Sequence, residues 1–494
     1  MTPTGIRYGS AFGYLVIGAV LAGGIPLLLI TEIADVGRSD GWPLTLALVV
    51  WAGVRLTAVI AAGQPTLFNF FFWLFVYIFM GIAPTVQMRS GLLSPTTAGV
   101  DQGFDVPTAL LVWLGVLCYE AGRYAAWLKA RSTRRRTGAS AVAIPGPESV
   151  RGVNSSATFL LVGAGALASA WFIYKVGIGS LFGSRDQGFA ARNAAWPDPA
   201  IRSIMYALAI YPLLVGIGAL AQLRRRSERT AARRYTALII AAAAVLLVVV
   251  NPVSSARYSL GTVLFALAAF AGALATPRRL RTSLLGALFG LMFLFPIADA
   301  FRRPDPNFVR NGFFGEYRGN SDYDAFWQIA NAYSYVVDGL VEPGRQALGV
   351  IFSWVPRALW SDKPVDTGIL LANYRGYNFD NLSSPLWAEF LVNGGIPALI
   401  AGFIFVGYAV KRLDIKLAPA FAAGGAWAIV GSIFPVYMTI LLRGSLLQAA
   451  GVVWVALLCL LVVTARTPSG QASTESGLRP PKPLSAEGLP RKIG

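Results

Sequence analysis

One polar stretch, residues 300–385, concentrates the charged side chains that could carry out chemistry. It holds nine acids and eight cations, and the cations are Arg302, Arg303, Arg310, Arg318, Arg345, Arg357, Lys363 and Arg375. A guanidinium group is planar and donates two hydrogen bonds at once to a phosphate, so a group of arginines is typical of a phosphate-bearing ligand. An ordinary salt-bridged surface is the simpler alternative for any single one of these residues.

The chain contains no histidine. Serine–histidine and cysteine–histidine catalysis, histidine-bound zinc and an imidazole base are therefore excluded. Cys118 and Cys459 both lie inside apolar runs, which argues against a disulfide framework and a thiolate metal site. We expect no metal site and no cofactor, and any acid–base step must use Asp, Glu, Tyr or Lys.

Composition defines the class of protein that positions these residues. Of the 494 residues, 55% are hydrophobic and only 13% are charged, and the mean hydropathy is +0.58. These values are typical of an integral membrane protein. The formal net charge of +18 could indicate nucleic-acid binding, but the Lys and Arg residues form short clusters between apolar runs, as topology signals do. We expect an all-α polytopic membrane protein with no nucleic-acid partner.

Twelve apolar runs approach or exceed the roughly 20 residues that span a bilayer. They cover residues 11–30, 43–62, 66–86, 107–128, 156–174, 201–222, 235–251, 258–275, 283–299, 386–410, 418–437 and 446–464. The first run is interpreted as a retained signal anchor, because nothing before it looks cleavable.

Basic clusters follow every even-numbered run, and such clusters favour the cytoplasmic side. Both termini should then be cytoplasmic. The connections after the odd-numbered runs should be external, and they are 31–42, 87–106, 175–200, 251–257, 300–385 and 438–445. A cation-rich external loop opposes the usual bias and calls for a local reason, such as an anionic ligand.

The predicted organisation has four parts. Residues 1–299 form nine transmembrane helices, 300–385 the large extracytoplasmic loop, 386–464 three more helices, and 465–494 a disordered cytoplasmic tail. The basic cytoplasmic loops within the first part are 129–155, 223–234 and 276–282.

Two elements can be predicted within the large loop. Residues 321–340 place apolar side chains at helical spacing between a Ser/Asp start and a glycine, which predicts an amphipathic helix over the membrane domain. Residues 347–360 are too short to span easily and carry Trp354 and Trp360, which is typical of an interfacial or re-entrant element.

Four segments occur in order around this loop: SSARYSLGTVLFALAAF, DYDAFWQIANAYSYVVDG, FSWVPRALWSDKPVDTG and SSPLWAEFLVNGGIPALIAGFIFVGY. Over about residues 251–408 they resemble the bacterial O-antigen and exopolysaccharide repeat-unit polymerases of the Wzy type. The resemblance implies a glycosyltransferase C-type helical domain in the bacterial plasma membrane, related to the O-antigen ligases. The donor would be a glycan on polyprenyl pyrophosphate and the acceptor another lipid-linked repeat unit. Membrane lipid, a flippase and a chain-length regulator are further implied partners.

One position departs from the related ligases. They carry a histidine about ten residues before a Gly-Gly-Ile-Pro-like turn. Here that turn is residues 394–397, and the matching position is Ser384. The departure favours polymerase over ligase chemistry and leaves the catalytic base open.

The chemistry of such a transfer suggests roles for particular residues of this chain. Transfer from polyprenyl pyrophosphate requires a stabilised leaving group and an oriented acceptor hydroxyl, and several arginines can provide the first without a metal. The expected diphosphate ligands are Arg257, Arg303, Arg310 and Arg357, with Lys363 and Arg375 as second choices. Either Glu389 or Asp324 could accept the hydroxyl proton. The aromatic residues expected to stack on sugars are Tyr323, Trp327, Tyr333, Trp360 and Tyr374.

Two other classes stay open: a ligase-like or other lipid-linked-sugar transferase, and a non-enzymatic flippase or transporter of lipid-linked oligosaccharides. The mid-span positions are almost free of ionisable residues, and the cations gather at one face. This distribution favours one-sided chemistry over alternating access.

Overall fold

The computed structural model describes residues 8–97, 99–137, 152–294, 314–380 and 382–464. These residues are helical and contain no β-sheet, and one isolated bridge joins Val153 to Thr464. The chain is therefore a polytopic helical membrane protein, as its composition predicts. The predicted tail, 465–494, lies outside the described residues.

Ten of the helices in the described ranges are long and apolar enough to cross a membrane. In chain order the main helices are α1 (Gly13–Thr31), α2 (Trp42–Ala62), α3 (Leu67–Ser90), α4 (Gln102–Thr133), α5 (Ser155–Val176), α6 (Arg185–Ala195), α7 (Pro199–Arg226), α8 (Arg229–Val249), α9 (Arg257–Phe270), α10 (Pro277–Phe289), α11 (Ala325–Val337), α12 (Arg345–Ile351), α13 (Thr367–Arg375), α14 (Leu386–Ala423), α15 (Ala426–Arg443) and α16 (Leu446–Val463). The ten are α1–α5, α7, α8 and α14–α16.

Ten of the twelve predicted spans coincide with these long helices. The other two predictions, 258–275 and 283–299, fall on α9, which has 14 residues, and on α10, which continues as a π-helical turn to Leu294. Residues 295–313 lie outside the described ranges, so the count of about twelve stays a prediction.

Helix α3 lies at the centre of the bundle. Its first half, LFNFFFWLF, is apolar almost all round, and such a helix must be enclosed on every side. Residues 67–89 of α3 are all buried. Phe72 stacks on Tyr119 of α4 with ring centroids 3.5 Å apart.

Helices α4 and α14 pack with their backbones in contact. A Cβ atom on Gly122 would lie 2.0 Å from the Ile404 carbonyl oxygen, and one on Gly407 would lie 1.9 Å from the Tyr119 carbonyl oxygen. Only glycine fits at either position, and small residues at such crossings are a common way to join membrane helices.

Helix α14 is broken at the Gly-Gly pair of its NGGIP sequence. Gly395 has φ of +65°, a left-handed conformation that favours glycine. The break leaves Asn393 available to the large loop: its carbonyl accepts from the Gly344 N–H at 2.9 Å, and its side-chain oxygen accepts from the Ala347 N–H at 2.8 Å. The loop is thereby joined to a membrane helix just before α12.

Buried apolar side chains form two separate clusters. One is built mainly from α1–α4, α11 and α14, and the other from α5, α7–α9 and α16. Helix α15 contributes to both, with Val436 in the first and Tyr437 in the second. The junction between the clusters is where the candidate site lies.

Candidate functional site

A cavity with a volume of ≈ 740 Å³ lies at one end of the helix bundle. Its size is within the range of about 300–1,000 Å³ that is typical of small-molecule sites. Its wall is built from α6, the start of α7, and residues 254–261, 321–324, 382–383 and 436–452. These segments include or overlap four connections predicted to be external: 175–200, 251–257, 300–385 and 438–445. Segments far apart in the sequence therefore meet at one place.

The cavity wall carries more positive than negative charge. Among the residues that the structure describes, five arginines line it against three aspartates, which leaves a formal excess of two positive charges in that part of the wall. The arginines are Arg185, Arg192, Arg202, Arg257 and Arg443, and the aspartates are Asp186, Asp322 and Asp324. A membrane protein that keeps this many guanidinium groups in one cavity provides a site for an anionic group.

Two of the arginines are paired with aspartates. Arg443 donates through Nε to the Asp322 carbonyl at 3.0 Å and through Nη2 to the Asp322 carboxylate at 3.2 Å. The same Nη2 lies 3.6 Å from Oδ1 of Asp324. Arg257 Nη1 lies 3.6 Å from the other oxygen of the Asp322 carboxylate. Asp322 and Asp324 are two positions apart, a spacing that also occurs in loops that bind divalent cations. Here both carboxylates lie next to arginine side chains instead.

The other three arginines lack a carboxylate partner within 4.0 Å in the described ranges. The Arg192 guanidinium lies 5.5 Å from the centre of the Tyr206 ring, and that of Arg202 lies 5.4 Å from the centre of the Phe189 ring. A cation over an aromatic face is held in place, but its charge is not neutralised. This side of the cavity therefore supplies the excess positive charge.

Local sequence explains why Arg257 lies in the wall. The Asn251 side chain accepts hydrogen bonds from the N–H groups of Val253 and Ser254, both at 3.0 Å, and donates to the Leu181 carbonyl at 2.8 Å. These bonds fix the NPVSSAR turn, and α9 begins at Arg257. The Arg257 side chain is only 8% exposed.

Helices α6 and α7 begin with well-formed caps. Ser184 and Gln187 form a capping box at the start of α6. Asp198 accepts from the N–H groups of Ala200 and Ile201 at the start of α7. Gly188 brings α6 against the NPVSSAR turn, because a Cβ atom there would lie 3.2 Å from the Ser254 Cβ. The caps and this contact hold Arg192 and Arg202 beside Arg257.

The two predicted base residues have different positions. Asp324 lines the cavity, although it is only 1% exposed, and its Oδ2 accepts from Thr96 Oγ1 at 3.2 Å and from the Ser383 N–H at 3.1 Å. Glu389 does not line the cavity. Its carboxylate accepts from Thr367 Oγ1 and from the Leu446 N–H, both at 2.9 Å. Glu389 therefore holds the start of α16, directly behind the cavity wall.

Three predicted diphosphate ligands lie away from the cavity wall. Arg357 donates to the carbonyls of Lys363 at 2.8 Å and Pro364 at 3.3 Å. Lys363 is buried and donates to the carbonyls of Ser353 and Val355, both at 2.8 Å. Arg375 donates to the Gly99 carbonyl at 3.1 Å.

Through these contacts Arg357 and Lys363 hold the backbone of their own loop. Burial, together with the charge of Arg357, lowers the pKa of Lys363. The predicted ligands Arg303 and Arg310 lie outside the described residues.

The aromatic residues predicted to stack on sugars also lie outside the cavity lining. Trp327 is buried and donates to Gln87 Oε1 at 2.6 Å, and Tyr323 is 1% exposed, so that burial raises the pKa of its hydroxyl. Tyr333 packs edge-on against Phe104, Tyr374 bonds to Ser334 and Asp338, and Trp360 is half-buried. The rings that do line the cavity are Phe79, Phe189, Tyr206, Tyr258 and Tyr437.

Sequence reasoning missed four of the five cavity arginines. Arg185 and Arg192 belong to the predicted external connection 175–200, Arg202 follows it, and Arg443 belongs to the connection 438–445. Cations in a predicted external connection oppose the usual charge bias, whether the connection is long or short. The same reasoning therefore applies to Arg185, Arg192 and Arg443, which lie in the two shorter connections. Arg257 is the one described residue that both approaches select for the diphosphate.

Ser384, at the position where the related ligases carry histidine, lies next to the wall. It is fully buried, and its N–H donates to the Arg443 carbonyl at 3.0 Å.

Comparison of the chain with protein-family models, with curated proteins and with solved structures finds no match.

Proposed function

We propose that this protein polymerises polyprenyl-pyrophosphate-linked oligosaccharide repeat units on the external face of the bacterial plasma membrane. The observation that carries the proposal is the cavity lined by five arginines at one end of a bundle of membrane-spanning helices. The glycosyltransferase C-type domain and the count of about twelve spans, both suggested by sequence, belong to the same proposal.

The charge of the wall supports a diphosphate ligand. A diphosphate carries two phosphate groups, and the wall offers two sets of guanidinium groups, the paired set of Arg257 and Arg443 and the unpaired set of Arg185, Arg192 and Arg202. Donors fixed before the reaction stabilise negative charge as it develops on a leaving group. Arg257 Nη1 lies 3.6 Å from the Asp322 carboxylate, beyond hydrogen-bond distance, and a phosphate oxygen could take the place of that carboxylate.

The apolar part of the wall supports a lipid-linked substrate. Alongside the arginines the cavity is lined by Leu291, Val436, Ile440 and Val452, which lie within or beside the membrane helices. A site that combines guanidinium groups with aliphatic side chains suits a molecule that joins a diphosphate to a hydrocarbon chain.

The reaction moves one glycan and one proton. The bond between the anomeric carbon of the donor glycan and its diphosphate oxygen breaks, and the arginines stabilise the released diphosphate. An acceptor sugar hydroxyl forms the new glycosidic bond and gives up its proton. Asp324 is the carboxylate that receives this proton, because of the two predicted bases it alone lines the cavity.

An assay with purified components tests the proposal. Purified protein in proteoliposomes should convert polyprenyl-pyrophosphate-linked repeat units into a ladder of longer lipid-linked glycans, with release of polyprenyl pyrophosphate. Transfer of the glycan to a lipid A core acceptor would assign ligase chemistry instead. Movement of the lipid-linked unit across the bilayer without a new glycosidic bond would assign transport.

A further inference from the structure

Part of the large loop exposes large apolar side chains next to one another. We call residues 348–359 the apolar tip. Leu359 is 82% exposed, Trp354 62%, and Ile351, Leu348 and Phe352 between 42% and 52%. Single exposed apolar residues are normal on a protein surface, but a contiguous group of five calls for something that covers it.

Several backbone carbonyls in and beside the apolar tip accept hydrogen bonds from cationic side chains. Lys363 donates to the carbonyls of Ser353 and Val355, both at 2.8 Å, and Arg357 donates to the carbonyls of Lys363 and Pro364 just beyond the tip. Water ordinarily satisfies such loop carbonyls, whereas in a lipid environment every backbone polar group needs a partner within the protein. The hydrogen bonds from these cations therefore lower the cost of moving the loop carbonyls from water toward lipid.

The tip is also firmly attached to the membrane helices. Helix α12, which leads into it, packs against α14 and the start of α16. Two hydrogen bonds of Asn393, accepted from the N–H groups of Gly344 and Ala347, tie the first turn of α12 to α14. Gly349 closes the other side, because a Cβ atom there would lie 2.5 Å from the Pro364 ring. The tip thus stands beside the ends of spanning helices, at the same end as the cavity.

We propose that the apolar tip inserts into the interfacial region of the lipid bilayer, on the side of the membrane where the cavity lies. The covering partner is lipid because α12, which leads into the tip, packs against α14 and α16, two helices long and apolar enough to span the bilayer. The exposed side chain of Trp354 suits the interfacial region, since tryptophan favours the boundary between headgroups and acyl chains. The insertion anchors the large loop over the cavity, and it does not depend on the reaction proposed above.

A fluorescent probe at the tip distinguishes lipid from water. Cys118 and Cys459 are buried, so a background in which both are replaced by Ala allows one added cysteine to be labelled. Leu359→Cys and Trp354→Cys place the probe on the tip, and Glu342→Cys places it on an exposed charged residue of the same loop. Each labelled protein is reconstituted in nanodiscs of phosphatidylethanolamine and phosphatidylglycerol, with or without nitroxide-labelled lipid.

The probes at 359 and 354 should be quenched by nitroxide lipid and protected from aqueous iodide, and the probe at 342 should behave in the opposite way. Iodide quenching at 359 and 354 equal to that at 342, without quenching by nitroxide lipid, would overturn the proposal. Protection from both quenchers in a dimeric sample would also overturn it, because a second copy of the chain would then cover the tip. Monodisperse elution of each labelled protein checks that the variants fold.

Discussion

Replacing Arg257 with Ala should slow glycan transfer strongly while the protein still folds. Arg257 begins α9, its side chain is 8% exposed, and its Nη1 lies 3.6 Å from the Asp322 carboxylate. Arg443 lies 3.2 Å from the same carboxylate, so the aspartate keeps a cation partner when Arg257 is removed. The main loss is therefore a positive charge next to the departing diphosphate.

The size of the effect follows from the charges. Two unit charges about 4 Å apart interact by about 4 kcal/mol at an effective dielectric constant of about 20. The remaining arginines of the wall compensate for part of this, so we expect a loss of about 2–3 kcal/mol of transition-state stabilisation. At about 1.36 kcal/mol per factor of ten, this corresponds to a rate about 30- to 150-fold lower. Arg257→Lys should recover part of the rate, because it restores the charge but not the two parallel hydrogen bonds.

The rate is measured as the appearance of glycan ladders in proteoliposomes that contain lipid-linked repeat units. Arg229→Ala, at an exposed arginine near the opposite end of the bundle, is the matched control and should retain the wild-type rate. Arg357→Ala distinguishes the role expected from the sequence from the role seen in the structure. If Arg357 binds the diphosphate, this variant should lose as much activity as Arg257→Ala. If Arg357 only holds loop carbonyls, the variant should lose little activity. A wild-type rate for Arg257→Ala in folded protein would refute the reasoning.

Three further predictions concern the shape of the cavity, the base and metal ions. Gly261→Trp should block transfer, because Gly261 lines the cavity and a Cβ atom there would meet no atom within 4 Å, which leaves the cavity as the space for the indole ring. Gly163→Trp, on α5, where an added Cβ atom also meets nothing within 4 Å, should stay active; equal rates for the two variants would contradict the location of the site. Asp324→Asn should slow transfer strongly. Glu389→Gln should mainly lower the melting temperature, because the Glu389 side chain holds the start of α16. If Glu389→Gln instead slows transfer and Asp324→Asn instead lowers the melting temperature, the two roles are exchanged. Transfer should persist in excess EDTA, because guanidinium groups stabilise the diphosphate; activity that returns only with added magnesium or manganese would contradict this.

Hydropathy and charge predict much of the fold. Apolar runs of about 20 residues identify the ten long helices because a membrane-spanning helix must be continuous and apolar. The charge pattern predicts that the odd-numbered connections share one end of the bundle, and the structure brings four of them together at the cavity. The start and end signals within 321–340 predict a helix, and α11 occupies Ala325–Val337.

The candidate site could be predicted only in part. Arg257 stands out because a very short turn fixes its depth in the membrane. Arg192 and Arg443 do not stand out, because their role arises from contact between segments about 250 residues apart. Arg357 and Lys363 look like ligands in the sequence, yet their side chains bond to backbone carbonyls only a few residues away. No spacing pattern reveals this choice, since it depends on how the loop turns back on itself.

The most direct test of the central claim is a cryo-electron-microscopy structure of the protein in nanodiscs with a polyprenyl-pyrophosphate-linked repeat unit. We expect density for the diphosphate inside the cavity, within hydrogen-bonding distance of Arg257 and of at least one of Arg185, Arg192 and Arg202. The hydrocarbon chain should leave between the aliphatic side chains of the wall. Diphosphate density outside the cavity, with the cavity arginines in their present contacts, would contradict the account.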